Sequence, residues 1–477
     1  MIMTNGTTAE SAGVSRRGFV GLLGAGAAAV GIGAAGASPA GASPAVGASA
    51  GPTSATLPPT SSPRYWEAVE RLFVLDKDVL FMNVGTVGSP PREVLDTLAR
   101  THRETAVGAL SGYDDFADVR AVVASGYGCD LDEVAVTHNT SDAISKIIAG
   151  LDLNEGDEFL ITNHEHPASL TSLAQARDRH GIVVKQVDLP VGNDQRAEDY
   201  VELFRRAITP RTRAMLFSAP TQKTGAMLPV AMLAKLAQEH GLITIVDGAH
   251  IPGMMAYDFH ELGVDFLAGS MAKWQCAPAG TGLLYVRNKV LPRYNPNPLP
   301  EFWPVVSMSY PTQGGLPPRS TGPTASYDIA SLLQDVGNTS LAMMAAVRNT
   351  CEIWDRIGRT RIQDYTLGLS AYLKELIVER WGVESLYSPK DDPRLVSALT
   401  SFAPFRDPAD IHDAKKASAL VNRLKEEHGI VIRSISFPVI GSAKAHQTLR
   451  ISTHLFHQRR DVERLVDAVW ALAREMD

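Results

Sequence analysis

Cysteine is scarce: Cys129, Cys276 and Cys351 are the only three in 477 residues, an odd number without metal-ligand spacing. That pattern excludes neither fold nor activity, but it argues against a disulfide scaffold and a structural zinc site. Excess positive charge is also lacking. The 45 Lys and Arg are outnumbered by 52 Asp and Glu, for a net charge of −7. Nucleic acid and anionic membrane surfaces call for a basic face, so neither is expected as the main partner. Past residue 62 there is no apolar run long enough to cross a membrane, and no internal repeat. No G-x-G-x-x-G follows a strand and no G-x-x-x-x-G-K-[ST] occurs, which removes the common nucleotide-binding motifs. What is present is 45% hydrophobic, 20% charged and 7% aromatic, enough chain for two or three domains of an ordinary soluble enzyme.

The first 62 residues differ from the rest. Ser15-Arg16-Arg17-Gly18-Phe19 leads into a Gly/Ala-rich apolar run over 20–35, followed by A-x-A sites at Ala35-Gly36-Ala37 and Ala48-Ser49-Ala50. This is the order of a signal peptide, expected over residues 1–50. The pair Arg16-Arg17 resembles a twin-arginine export signal. The expected location is therefore periplasm, cell wall or medium, with no stable membrane association after cleavage. A disordered tail and a retained anchor are the alternatives. No cysteine follows the apolar run, so this is not a lipoprotein pattern. Residues 51–62, rich in Pro, Ser and Thr, read as a flexible spacer.

From residue 132 short apolar runs alternate with helical segments. Strands are expected at 133–137, 158–162, 182–187, 214–218, 243–247, 266–270 and 282–286, and helices at 141–148, 169–180, 200–208 and 230–240. This alternation implies a three-layer α/β fold with a mostly parallel central sheet covered on both faces. The large domain is expected over 63–328 and a smaller C-terminal α+β domain over 329–477. The latter has a long helix at 341–357, strands near 395–402, 431–434 and 449–452, and a closing helix at 461–476. Between them, residues 291–318 are rich in Pro and aromatics. Phe302, Trp303 and Tyr310 are costly to expose, so an active-site roof or subunit contact is expected there.

In such sheets the site lies at the carboxyl ends of the strands. Polar residues gather there: His138-Asn139-Thr140-Ser141, His164-Glu165-His166, Gln222, Asp247-Gly248-Ala249-His250, and Ser270 to Lys273. A lysine at the mouth of a packed sheet is partly desolvated, which frees its amine for Schiff-base chemistry. Alone, Lys273 would read as a surface residue. Asp247 ends the run Ile-Thr-Ile-Val, where a carboxylate needs a cationic partner; a pyridinium nitrogen would supply one. Thr140-Ser141 open a helix, where free N–H groups and hydroxyls suit a phosphate, or serve as a plain cap.

This set resembles the pyridoxal-phosphate enzymes of fold type I, class V aminotransferase family, over residues 80–477. The stretch Gly269-Ser270-Met271-Ala272-Lys273-Trp274-Gln275-Cys276-Ala277-Pro278-Ala279-Gly280-Thr281-Gly282 is similar to the isopenicillin N epimerase branch, as is Asn83-Val84-Gly85-Thr86-Val87-Gly88. The resemblance implies pyridoxal 5'-phosphate as cofactor, a homodimer, and a small amino-acid-type substrate. It implies that Lys273 forms the Schiff base and shuttles a proton, and that Asp247 holds the ring nitrogen protonated. His166 would stack on the ring, with His164 as the alternative. Gln222 and His250 would sit near the phenolic oxygen. Asn139, Thr140, Ser141 and Ser270 would hold the phosphate. Arg450 would bind the substrate carboxylate, with a domain-interface ion pair as the other reading, and Asn83 and Thr86 would lie on the substrate side.

Three positions depart from the pattern. Ala272 replaces the usual His before the lysine. The segment 319–324 lacks a clear Gly-Thr, leaving Thr321 or Thr324 to reach the partner's phosphate. The loop 434–446 has no cysteine, where desulfurases of the family carry their persulfide-forming thiol. The expected activity is epimerase-like chemistry at the α-carbon of an amino acid. The alternatives are a C–S or β-elimination lyase, an aminotransferase, or an exported non-catalytic binding protein. No metal site is expected.

Overall fold

The computed structural model describes residues 57–114, 116–305, 322–323, 328–407 and 409–477. The export signal, the first half of the spacer, Tyr310, Thr321 and Thr324 fall outside the described residues. In chain order, the first elements are α1 (Tyr65–Glu70), β1 (Leu80–Phe81), α2 (Arg92–Gly108) and α3 (Ala117–Gly126). The alternating region follows: β2 (Val134–Thr137), α4 (Thr140–Gly150), β3 (Glu158–Thr162), α5 (Pro167–His180), β4 (Val183–Val187), α6 (Ala197–Ala207), β5 (Thr212–Ser218), α7 (Val230–Glu239), β6 (Ile243–Gly248), α8 (Phe259–Leu262), β7 (Phe266–Ser270) and β8 (Gly282–Val286).

Seven of these strands form one sheet in the order β2-β8-β7-β6-β5-β3-β4. Only β8 runs against its neighbours; the other pairings are parallel. The period-2 alternation of strands places successive side chains in two different cores. Leu160, Phe217 and Val246 join the core on one face, while Phe159, Ile161, Leu216 and Ile245 join the other. Each such side chain, fully buried, contributes about 1.5–3 kcal/mol, so both faces must be covered. That is why the strands read as continuous apolar runs rather than half-polar ones.

The second half contains α9 (Ile329–Gln334), α10 (Leu341–Ile357), α11 (Arg359–Trp381), β9 (Leu399–Phe402), α12 (Ala414–His428), β10 (Ile430–Val431), β11 (Arg433–Phe437), β12 (His446–Ser452) and α13 (Arg459–Met476). Here β11, β12 and β9 make an antiparallel sheet in that order. A third core lies behind it, with Leu369, Leu373 and Ile377 of α11 against Val462, Leu465 and Val469 of α13. The change of core comes at Gly358, whose φ of 99° breaks the helix between α10 and α11. Before it, Ile329 and Leu333 of α9 and Val347 and Trp354 of α10 pack into the cores of the large sheet. Thus α9 and α10 pack against the large sheet, while most of α11 packs in the third core together with Leu80 and Met82.

Two further features depart from expectation. Phe302 does not roof the site. Its ring is buried against Phe266 with centroids 5.8 Å apart, and the Trp303 N–H donates to the Gly150 carbonyl at 2.5 Å. The first contact lies at the amino end of β7 and the second at the carboxyl end of α4, away from the strand termini that carry polar residues. Second, β1 pairs in parallel with β10, Leu80 facing Ile430. The Ser452 N–H then donates to the Met82 carbonyl at 2.9 Å. The segment after β1 is thus stitched to the end of β12.

Candidate active site

A cavity of ≈ 160 Å³ opens at the carboxyl ends of β2, β3, β5, β6 and β7. Asn139, Thr140, Ser141, His166, Gln222, Asp247, His250, Ser270 and Lys273 all line it. The structure brings these nine residues, drawn from five separate strand ends and the loops after them, to one place.

At one side is the start of α4. Asn139 is extended and caps the helix, its Oδ1 accepting from the Asp142 N–H at 2.9 Å. The first turn of a helix leaves backbone N–H groups without intrahelical partners. The Thr140 Oγ1 is buried with no protein partner. A buried, unsatisfied hydroxyl is costly, so this edge is built for an acceptor-rich group. Ser270, the last residue of β7, lies on the same cavity. Ala272 offers no side-chain donor there; its carbonyl instead accepts from the Gly88 N–H at 2.8 Å.

Asp247 ends the buried strand β6, with Ser218 of β5 and Ala268 of β7 as its neighbours in register. Its Oδ1 accepts from the Ala249 N–H at 3.1 Å, and Ser169 Oγ stands 3.4 Å from Oδ2. No lysine or arginine forms an ion pair with it among the described residues, so a positive partner from a ligand would be favoured. Burial presses the Lys273 ammonium down to about 8; Arg450 and Arg433 push the same way, and Asp247 opposes them. About a tenth of its amine is therefore unprotonated at pH 7, far more than for an ordinary lysine.

Two histidines have defined tautomers. The Trp274 indole N–H donates to His250 Nδ1 at 3.0 Å. Indole can only donate, so the neutral ring carries its hydrogen on Nε2. Burial, with Lys273 and Arg450 nearby, holds His250 well below the usual histidine range. His166 caps α5 ahead of Pro167, its Nδ1 accepting from the Ala168 N–H at 3.2 Å. His164 is absent from the lining and packs edge-on against Phe437, centroids 5.5 Å apart. Of the two candidates, His166 is the one at the cavity.

Asn83, Thr86 and Arg450 form an adjoining group. Arg450, 1% exposed, donates through Nη2 to Thr86 Oγ1 and through Nη1 to the Gln222 carbonyl, both at 3.2 Å. Thr86 Oγ1 in turn donates to Asn83 Oδ1 at 2.9 Å. Arg450 Nε has no partner, and no carboxylate pairs with this guanidinium among the described residues. A domain-interface ion pair is therefore not what holds it. Asn83 and Thr86 reach the site through Arg450 rather than as lining of the cavity.

Sequence reasoning left out several groups. Trp274 orients His250, and Ser169 and Ser218 support Asp247 and Glu165. Glu165 is buried, accepting from Thr162 Oγ1 at 2.5 Å, Ser218 Oγ at 2.6 Å and the Ser218 N–H at 3.2 Å. Burial raises it to about 7, against those hydrogen bonds and with help from Asp247. The quoted motifs contain Trp274 and Glu165, yet their partners come from other strands, which no local pattern shows.

A desolvated lysine, a buried carboxylate at the central strand end and a helix N-terminus with an orphaned hydroxyl fit pyridoxal phosphate, and together with the fold they define a pyridoxal-phosphate enzyme of fold type I. The chain belongs to the class-V aminotransferase family, whose model matches residues 91–465. It is 27% identical over 420 residues to the isopenicillin N epimerase of Amycolatopsis lactamdurans, covering 86% of this chain and 99% of that protein. It is 26% identical over 418 residues to a probable cysteine desulfurase of Halobacterium salinarum, covering 84% of this chain and 93% of the relative. Among solved structures, it matches the cystine C–S lyase C-DES in complex with cysteine persulfide at a TM-score of 0.67 and 22% identity, covering 83% of this chain and 98% of the other. Another C-DES structure, with glycine covalently linked to its PLP cofactor, matches at a TM-score of 0.66 and 21% identity over 83% of this chain and 97% of that one.

Proposed function

We propose that this enzyme labilises the α-hydrogen of an amino-acid substrate and returns it with inversion, an epimerase of the kind its isopenicillin N relatives represent. The observation that carries the choice is the β11–β12 hairpin. It spans Arg433 to Ser452 beside the site and contains no cysteine. The nearest thiol to the lysine, Cys276, is buried, its Sγ 3.5 Å from the Lys273 carbonyl and 3.8 Å from His454 Nε2. Burial pushes that thiol far above its ordinary value, so it is a poor sulfur acceptor. Proton chemistry needs none.

Bound pyridoxal phosphate supplies the electron sink for an α-carbanion. Asp247 holds the proton on the ring nitrogen. The α4 N-terminus, Thr140 and Ser270 bind the phosphate. Arg450 grips the α-carboxylate and orients the α-hydrogen, and the Thr86–Asn83 pair keeps the guanidinium aimed. Lys273 can take that proton through its neutral amine, and His166, whose Nδ1 accepts from Ala168 and whose hydrogen is therefore on Nε2, can return one. Their separate attachment, one on the β7–β8 loop and one on the β3–α5 turn, supports inversion.

The test is NMR of candidate amino acids in D2O with the purified, cofactor-loaded protein. Exchange of the α-hydrogen with inversion supports the epimerase. Keto acid with ammonia moves the reading to a lyase, and keto acid without ammonia to an aminotransferase. Borohydride reduction with peptide mapping should leave a pyridoxyl group on Lys273. We further propose export through the twin-arginine-type segment and a homodimer, tested by cell fractionation of Arg16→Lys/Arg17→Lys and by light scattering.

A further inference from the structure

Arg433 and Arg450 occupy directly facing positions of the β11–β12 ladder. Residues so paired project from the same face of the sheet, and like charges there oppose folding. A third cation arrives from another element. Lys223, in the loop between β5 and α7, donates its Nζ to the Ser436 carbonyl of β11 at 3.0 Å. That hydrogen bond ties the ammonium to the same hairpin. Residue 222, next to it, is the one whose carbonyl receives Arg450.

None of the three forms an ion pair with a carboxylate among the described residues. Burial lowers the Lys223 ammonium, and Arg433 and Arg450 lower it further. The nearby carboxyls are already engaged. Asp247 faces the ring position, and Glu165 is enclosed by Thr162 and Ser218. A cluster of cations with no anion is held together at a cost unless a ligand brings negative charge. The α-carboxylate of an amino acid neutralises one of them, Arg450. Two remain beside it.

We infer that Lys223 and Arg433 form a second acid subsite next to Arg450, so that the substrate is an amino acid whose side chain carries its own carboxylate. This rests on the reading above that Arg450 takes the α-carboxylate at a pyridoxal-phosphate site. Arg433 is exposed and Lys223 partly so, and Lys223 follows Gln222 of the cavity lining, so the subsite is open to solvent beside the cavity rather than part of its wall.

The experiment is isothermal titration calorimetry of the cofactor-loaded protein with two matched pairs: L-glutamate against L-norvaline, and L-2-aminoadipate against L-norleucine. Within each pair only a terminal carboxylate replaces a methyl. In the wild type, at least one acidic member binds at least tenfold tighter than its partner. Lys223→Gln and Arg433→Gln each reduce that ratio at least fivefold, and added salt compresses it. A wild-type ratio near one in both pairs overturns the inference, as does a ratio unchanged in both variants. Loss of the acidic and the neutral ligand in equal proportion also overturns it, because a structural role would act on both. If no ligand binds while borohydride still labels Lys273, the acid subsite fails and the cofactor reading stands. If Lys273 is not labelled at all, both fail.

Discussion

Arg450→Met should make the protein more stable and unable to hold its substrate. The guanidinium is 1% exposed, its two hydrogen bonds are long at 3.2 Å, both go to neutral oxygens, and Nε has no partner. Burial, with Arg433 adding repulsion, presses it from 12.5 to about 9. That drop corresponds to about 5 kcal/mol against the charged form at neutral pH. Methionine keeps much of the stem's volume and removes the charge. The two lost hydrogen bonds return about 1 kcal/mol each. The balance is a gain of about 1–3 kcal/mol, within the range seen when buried ionic groups give way to apolar ones. Urea unfolding of the cofactor-loaded protein, without amino acid, should show a higher midpoint at unchanged slope. Calorimetric titration with the amino acid should show affinity down by about 30-fold or more, the cost of leaving a carboxylate unpaired. A lower midpoint by about 1 kcal/mol or more would refute the reasoning, because it would mean the guanidinium is already compensated in the resting protein.

Three other outcomes follow from the same geometry. Lys273, pressed to about 8, should take up pyridoxal phosphate faster as its neutral fraction grows, with the rate rising about fivefold from pH 7 to 8 and levelling above pH 9 in stopped-flow absorbance. Glu165, raised from 4.5 to about 7, keeps a proton in the folded protein that the unfolded chain has lost, so stability falls as pH rises through that window and levels above it. Glu165→Gln should flatten that slope, worth about 3 kcal/mol across the window, in melts run from pH 4.5 to 8. Gly88→Ala and Gly368→Ala should act with opposite signs. A Cβ on Gly88 would lie 2.0 Å from the Lys273 carbonyl oxygen, whereas one on Gly368, in α11, meets nothing within 4 Å. The first should lose about 1–3 kcal/mol and the second gain up to about 1 kcal/mol in the same denaturation assay.

The parts of this architecture that were legible in the sequence are those with a local signal. Strands such as Phe266–Ser270 and Gly282–Val286 announce themselves as short apolar runs, and Asn139 and Pro167 mark helix starts. Because the fold places strand ends together, Lys273, Asp247 and His166 could be grouped before any coordinates. What was not legible depends on pairings between distant segments. The register that sets Arg433 opposite Arg450 and the two-residue match of Leu80 with Ile430 leave no trace in local composition. The choice between His164 and His166 turned on which face of one tight turn each ring takes. Phe302 was misplaced for a related reason: an aromatic in a Pro-rich segment must be covered, but the sequence does not say by which end of the sheet.

The stitch between β1 and β10 has a consequence for how the molecule is made. All thirteen residues lining the cofactor cavity lie between positions 139 and 273, so a nascent chain carries them before its C-terminal third. The proposed amino-acid clamp needs Thr86, the Gln222 carbonyl and Arg450 together, so it cannot form until residue 450 has been added. During translation, a cofactor cradle can thus be assembled on the ribosome before anything exists that would admit an amino acid to it.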